Sequence, residues 1–190
     1  MTKHFFDIGA NTGNTFDCYL NHQPQYYGWK VWCFEPSPRY ITTLHNNIKN
    51  FKDKFDIVVC PFGMAKKTEP ILFYEKMDPL ADSFYTYSNL YPINVNQTHQ
   101  IISMTVSISE FISNFTKEND EIVLKIDCEG SEFDILEDIL NNPNLINRIY
   151  TILVEWHPWY CDMNDEYKKR YDNIVDSFIK LNKPIQSWNF

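Results

Sequence analysis

The chain has 190 residues and a formal net charge of −8, with an isoelectric point near 5.0, so it is long enough for one core, and its surface as a whole repels a phosphate backbone. No apolar stretch approaches the length of a membrane span, and no charged-then-apolar leader opens the chain; a soluble, cytoplasmic protein is expected. Cys18, Cys33, Cys60, Cys128 and Cys161 show no Cys-x-x-Cys spacing, which argues against a zinc cluster or a disulfide framework and reads as reduced thiols.

The first apolar run, Lys3 to Ile8, reads as a strand that enters a turn written Asp7-Ile8-Gly9-Ala10-Asn11-Thr12-Gly13, with a helix beginning near Asn14. Gly9 and Gly13 let the backbone turn sharply and approach a ligand closely. A dinucleotide loop is Gly-x-Gly-x-x-Gly with a pyrophosphate on the helix end. Here the pattern is Asp-x-Gly-x-Asn-x-Gly, and Asp7 would repel a pyrophosphate. A carboxylate there suits the sulfonium and ammonium of S-adenosylmethionine; the simpler alternative is a tight turn that Asp7 helps to cap. The second strand, Trp29 to Glu35, ends on an acid about twenty residues past the loop, where nucleotide-binding αβ units place the carboxylate that accepts ribose hydroxyls. Ser37 reads as an N-cap and Pro38 as the first residue of a helix carrying Ile41, Leu44, Ile48 and Phe51 on one face.

The third strand runs from Phe55 to Cys60. After it comes an insertion, about 68–106, with strand-like ends at Pro70 to Lys76 and Ile101 to Val106, so a hairpin-like unit is expected. Between them, Met77 to His99 carries Tyr85, Tyr87 and Tyr91, whose faces and hydroxyl tips suit a polyhydroxy or aromatic group, or else pack beneath the loop. Ser107 and Glu110 form a capping-box pattern ahead of Ile108, Phe111, Ile112 and Phe115. The fourth strand, Glu121 to Asp127, places Lys125 and Asp127 on one face, joined by Glu129 if the extended geometry persists; Gly130 then turns the chain into a helix with Phe133, Leu136 and Leu140 inward. The fifth strand, Ile149 to Trp156, brings Glu155 and His157 to the matching end. A long helix from about Glu166 to Leu181 follows, leaving only Pro184 to Phe190 for a last strand, so the sheet either ends at six strands or has its edge covered by a second chain as a homodimer. The whole, residues 1–190, reads as one domain.

Four segments, Phe6 to Gly13, Val31 to Pro38, Leu124 to Glu132 and Ile152 to His157, resemble in order and spacing the signatures of FkbM-type S-adenosylmethionine-dependent methyltransferases. The resemblance implies an α/β, Rossmann-like class I methyltransferase fold: a mostly parallel open sheet with helices on both faces and, here, a shortened C-terminal strand pair. It also implies methylation of a hydroxyl on a sugar or another small polar molecule. On that basis the cofactor-binding residues are Asp7, Gly9, Asn11, Gly13 and Glu35, and the segment after the third strand passes under the adenine, with Phe62 and Met64 as apolar contacts and Gly63 allowing close approach.

Methyl transfer to a hydroxyl is an in-line displacement that needs an aligned, more basic oxygen. Asp127, Glu129 and His157 are the catalytic candidates, with His157 favoured as the base because its ordinary pKa lies nearest neutrality. The other route is Mg²⁺ held by Asp127 and Glu129 with Glu155 or His157. Glu129 and Glu132 can instead cap the following helix, which is the reading adopted for Glu132. Two other functions keep the same fold: a nucleic-acid 2′-O-methyltransferase, for which Lys49, Lys52, Lys54, Lys66 and Lys67 are the only basic candidates, and a binding module without turnover. The charge balance makes a nucleic-acid partner the less favoured of these.

Overall fold

The protein is described here by a computed structural model covering residues 1–76, 82–84, 99–157 and 165–188. Six strands, β1 (Lys3–Ile8), β2 (Lys30–Phe34), β3 (Asp56–Cys60), β7 (Glu121–Ile126), β8 (Ile149–Val154) and β9 (Ile185–Ser187), form a sheet in the order β3-β2-β1-β7-β8-β9. Every pair in it is parallel. A parallel sheet must be covered on both faces, which explains why its strands read as nearly unbroken apolar runs. On one face Phe5, Val31 and Val123 pack with Phe16 of α1 (Asn14–Cys18) and Leu44 of α2 (Pro38–Asn47). On the other, Phe6, Leu124 and Ile152 pack with α3 (Ile108–Phe115), α4 (Glu132–Leu140) and α6 (Asp165–Lys180) through Phe111, Leu136 and Phe178. The turn helix α5 (Pro143–Ile146) completes the second layer. This is the Rossmann-like arrangement that the sequence predicts.

The hairpin-like insertion is present and joins a second sheet: β5 (Glu69–Glu75) pairs antiparallel with β6 (His99–Ser107), and β6 also pairs in parallel with β4 (Gly63–Ala65). Tyr85, Tyr87, Tyr91 and Cys161 lie outside the described residues. The last strand is three residues long and runs parallel to β8, and among the described residues no strand pairs antiparallel with it. Leu181, expected to be the last residue of the long helix, lies just beyond α6, which stops at Lys180, and is 43% exposed. Ser37 precedes α2 as expected but does not cap it with its side chain; its hydroxyl donates to Glu75 instead. Ser107 does cap α3, accepting from Glu110 N–H, while the Glu110 carboxylate bonds Thr68 rather than closing the box. No helix among the described residues is long and apolar enough to cross a membrane.

The chain leaves β1 toward β2 and leaves β7 toward β8, in opposite directions, so the order reverses between β1 and β7. Ligands in open αβ sheets bind outside the carboxyl ends of the strands at such a point. The register there sets Asp7 directly opposite Lys125.

At the other end of the sheet, buried His4 accepts from Trp32 Nε1 at 3.1 Å on Nδ1 and faces Asp120 Oδ2 at 3.2 Å on Nε2. An indole N–H only donates, so Nδ1 must keep its lone pair and the neutral Nε2–H tautomer is the one that fits. Burial lowers the His4 pKa from its ordinary 6.5 and outweighs the pull of Asp120. The folded state therefore binds fewer protons than the unfolded chain in this range, and stability should fall as pH drops through about 6.5. A His4→Gln variant keeps an acceptor and a donor but cannot titrate. Its urea midpoint should change less between pH 7.5 and 5.5 than that of the native chain.

Candidate functional site

The floor of the cleft is an ion cluster. Lys125, 2% exposed at its side chain, reaches Asp7 Oδ1 at 3.1 Å and Asp127 Oδ2 at 3.2 Å, and donates to Gly9 O at 3.0 Å. Burial works against the ammonium, but the two carboxylates outweigh it and raise its pKa, so Lys125 remains charged. Its Nζ also lies 5.7 Å from the centre of the Trp188 ring at the tip of β9. Asp7 is wholly buried and accepts the Thr15 hydroxyl at 3.1 Å, which ties the start of α1 to β1.

Above this floor the β1 loop is held in conformations that most side chains avoid. Gly9 has φ 79° and Asn11 φ 46°. A Cβ on Gly9 would sit 1.7 Å from Asp127 O, so only glycine lets the ends of β1 and β7 come this close. Gly9 and Ala10 N–H groups both donate to Phe34 O at the end of β2. Glu35, 5% exposed, accepts from Asn11 N–H at 2.8 Å through one oxygen and from Ser37 N–H at 2.7 Å through the other. Burial pushes its carboxyl up to about 7 in spite of those two donors. Glu35 thus joins the β1 loop to the start of α2 and stands between its two protonation states near neutral pH.

The β7 tip is built around Glu132, which is fully buried. It accepts from Cys128 N–H at 3.2 Å and Gly130 N–H at 3.0 Å, and its Oε1 lies 2.7 Å from His157 Nδ1. This gathering lets Glu129 adopt φ 56° and turns its carboxylate to His157 Nε2, 3.4 Å away, with Asp127 Oδ1 at 3.8 Å and Glu155 Oε1 at 4.0 Å. Burial alone would lower the imidazole, yet Glu132 first, then Glu129 and Asp127, push it up to about 9. His157 is consequently an imidazolium at neutral pH.

Between the two tips lies a cavity of about 300 Å³. Gly9, Asn11, Glu35, Gly63, Asp127 and Glu129 line it, with Lys125 and Glu155. Other sequence candidates sit elsewhere. Asp7 is beneath the floor, and Gly13 faces away from the cavity, where a Cβ would come within 3.0 Å of Leu44 of α2 and 3.3 Å of Ile48 just beyond it. Phe62 turns into the core, its ring 5.9 Å from Phe34 and 6.2 Å from Phe111, while Met64 lines the cavity. His157 is 2% exposed and stands behind the carboxylates. The roles of Lys125 and Glu132 are the ones that sequence reasoning missed. Lys125 falls on the same face as Asp127 by simple strand alternation, and that was the available signal. Nothing local marks Glu132 as the partner of a residue 25 positions away.

Asp127, Glu129 and His157 each offer one atom within 4.8 Å of the others, a spacing that a cation could use. The donor set does not suit Mg²⁺, which prefers oxygen ligands: one donor is an imidazole nitrogen, and the Lys125 ammonium already occupies Asp127.

The sequence profile described as Methyltransferase FkbM domain matches residues 7–181. No curated protein matches the chain significantly. Among solved structures, the crystal structure of Methyltransferase FkbM from Methylobacillus flagellatus KT superposes with a TM-score of 0.53 at 15% identity, over 90% of this chain. The chain spans 37% of the length of that neighbour.

Two outcomes are expected from this electrostatics. Lys125→Met leaves Asp7 buried without its partner and should cost about 3–5 kcal/mol in denaturant unfolding, much of it regained in the double variant with Asp7→Asn. An NMR titration of the His157 ring should show a midpoint near 9, and Glu132→Gln should bring it down by about one unit or more. Because the folded pKa is the higher one, the His157 contribution to stability is complete below the unfolded value and is lost as pH rises through 9.

Proposed function

The chain belongs to the FkbM methyltransferase family, and on that premise we propose that it moves a methyl group from S-adenosylmethionine to a hydroxyl of a small polar acceptor, a saccharide or a related metabolite. The observation that carries the reading is the division of the cleft at the strand reversal. One side is Glu35, tethered to the glycine loop; the other is a carboxylate cluster at the tips of β7 and β8. The glycine loop and Glu35 are the binding elements for the nucleoside, with the two Glu35 oxygens as acceptors for ribose hydroxyls. Counting Asp7, Asp127, Glu129, Glu132 and Glu155 against Lys125 and His157, the other side carries more negative than positive charge. Such a field favours the sulfonium and ammonium of the methionine end over a phosphate.

S-adenosylmethionine supplies an electrophilic methyl on sulfur. The chain's own residues then align the acceptor oxygen and receive its proton. Glu132, Glu129 and Asp127 raise the His157 pKa above its ordinary value in the ligand-free site, which disfavours it as the base at neutral pH. Asp127 and Glu129, which line the cavity, take that role in this proposal, and His157 with Glu132 positions them. The nucleic-acid reading has less behind it: Lys49, Lys54 and Lys66 are engaged with Asn46, Asn21 and Glu137 on scattered surfaces.

The test is calorimetry with S-adenosylhomocysteine, followed by turnover with S-adenosylmethionine and a panel of saccharides read by mass. Binding should strengthen about tenfold between pH 6 and pH 8 as Glu35 ionises, since only the carboxylate accepts both ribose hydroxyls. Glu35→Gln should bind more weakly and lose that pH dependence. Absence of heat and of any thermal shift at saturating ligand would remove the methyltransferase reading.

A further inference from the structure

Residues 36–39, the turn from β2 into α2, are gripped by the insertion through contacts that span the two segments. Ser103 of β6 donates its hydroxyl to Pro36 O at 3.3 Å, and the Ser37 hydroxyl donates to Glu75 Oε1 of β5 at 2.7 Å. Arg39 donates to Lys76 O at 3.1 Å and pairs with Asp82. Asp82 and Phe84, between β5 and β6, also line the cavity. Of these contacts, the Ser37–Glu75 bond is the one buried at both ends: Ser37 is 0% exposed and Glu75 9%.

Glu75 is held for this task from its other side. Its Oε2 lies 2.9 Å from Nδ1 of His99, the residue opposite it in the β5–β6 register. Burial works against the Glu75 carboxylate, yet His99, Ser37 and Arg39 outweigh it and keep its pKa below the ordinary value. Ser37 in turn has one donor on each of two acids, its hydroxyl on Glu75 and its backbone N–H on Glu35 Oε1 at 2.7 Å. A serine at this position ordinarily turns its hydroxyl back to the helix as a cap, and α2 goes without that bond. The hydroxyl instead ties the turn to β5 in the conformation that delivers the Ser37 N–H to Glu35.

We propose that Glu75 is a positioning residue for nucleoside binding: its hold on the Ser37 hydroxyl keeps the Ser37 N–H on Glu35, so an acid of the insertion governs the acid that takes the ribose. This rests on the reading of the cleft as a site for S-adenosylmethionine. A hydrogen bond from an amide to a carboxylate favours the ionised form. Releasing the turn therefore leaves Glu35 harder to ionise inside its buried setting. Asp82 of the insertion and Lys125 of β7 also act on Glu35, in opposite senses, and both stay in place in every variant below.

The experiment is calorimetric titration of S-adenosylhomocysteine from pH 5.5 to pH 9 into the native chain and into Ser37→Ala, Glu75→Leu and Glu75→Gln, with urea unfolding of each beside it. Binding to the native chain should rise with a midpoint near 7. Ser37→Ala and Glu75→Leu should move that midpoint up by about one unit, which weakens binding at pH 7 about fivefold and leaves it nearly unchanged at pH 9. Glu75→Gln, whose amide oxygen still accepts the Ser37 hydroxyl, should restore the native midpoint although the charge is gone. Ser37→Ala deletes the same bond from its donor side and leaves Glu75 with His99, so the test stands even where Glu75→Leu does not fold. Variants that lose stability or bind more weakly by the same factor at every pH, with the midpoint unmoved, would overturn the proposal, and so would a Glu75→Gln variant that behaves like Glu75→Leu. Absence of heat with the native chain at every pH would overturn the cofactor reading itself.

Discussion

A buried lysine held between two aspartates is the interaction on which the rest of the cleft depends. Removing Lys125 and Asp7 from water is expensive, and their mutual attraction repays it only in one geometry. Asp7 and Lys125 stand opposite each other in the β1–β7 register. A slip by one residue would set Asp7 against Leu124 or Ile126 and leave both charges unpaired in the core. The ion pair therefore fixes the register of the two central strands, and that register decides where the Gly9 turn and the Asp127–Gly130 turn meet. The missing Cβ of Gly9 matters for the same reason, since the β1 backbone exits across the Asp127 carbonyl.

From this floor the site separates two kinds of acid. Glu35 is insulated and sits near its own midpoint, so a ligand can select its ionised form. The acids at β7 and β8 crowd around one imidazolium that partly neutralises them and is itself held charged by them. Glu132 links this group to the backbone by drawing Cys128 and Gly130 N–H groups inward, which gives the left-handed Glu129 its support. Backbone strain of that kind persists only where the surroundings over-determine it.

Much of the architecture is legible along the chain because parallel strands announce themselves as apolar runs with acids at their tips: Glu35, Asp127 and Glu155 each follow directly on a strand, and Asp7 stands one residue before the end of β1. The hairpin of the insertion is legible for a similar reason, through two strand-like ends flanking an irregular stretch. What escapes the sequence is partnership across distance. Ser37 has the composition of a cap, yet its hydroxyl goes to Glu75, 38 residues on, because β5 folds back beside it. Glu132 has the position of a helix-capping acid, yet its main partner is His157. The parallel pairing of β4 with β6 is set by neither segment alone. Phe62 faces the core because Phe34 and Phe111 offer it an aromatic pocket, which no local pattern encodes.

The placement of Asp82 to Phe84 on a hairpin, apart from the strand tips, bears on how such a chain can diversify. Changes at Asp7, Gly9 or Lys125 disturb the packing of the whole sheet, so few substitutions there leave a folded protein. A hairpin tolerates altered length at little entropic cost and carries little of the core. Selection acting on this lineage can therefore revise the wall over the cleft while the charged floor stays the same, and a new ligand preference can arise in a few steps without first passing through an unfolded ancestor.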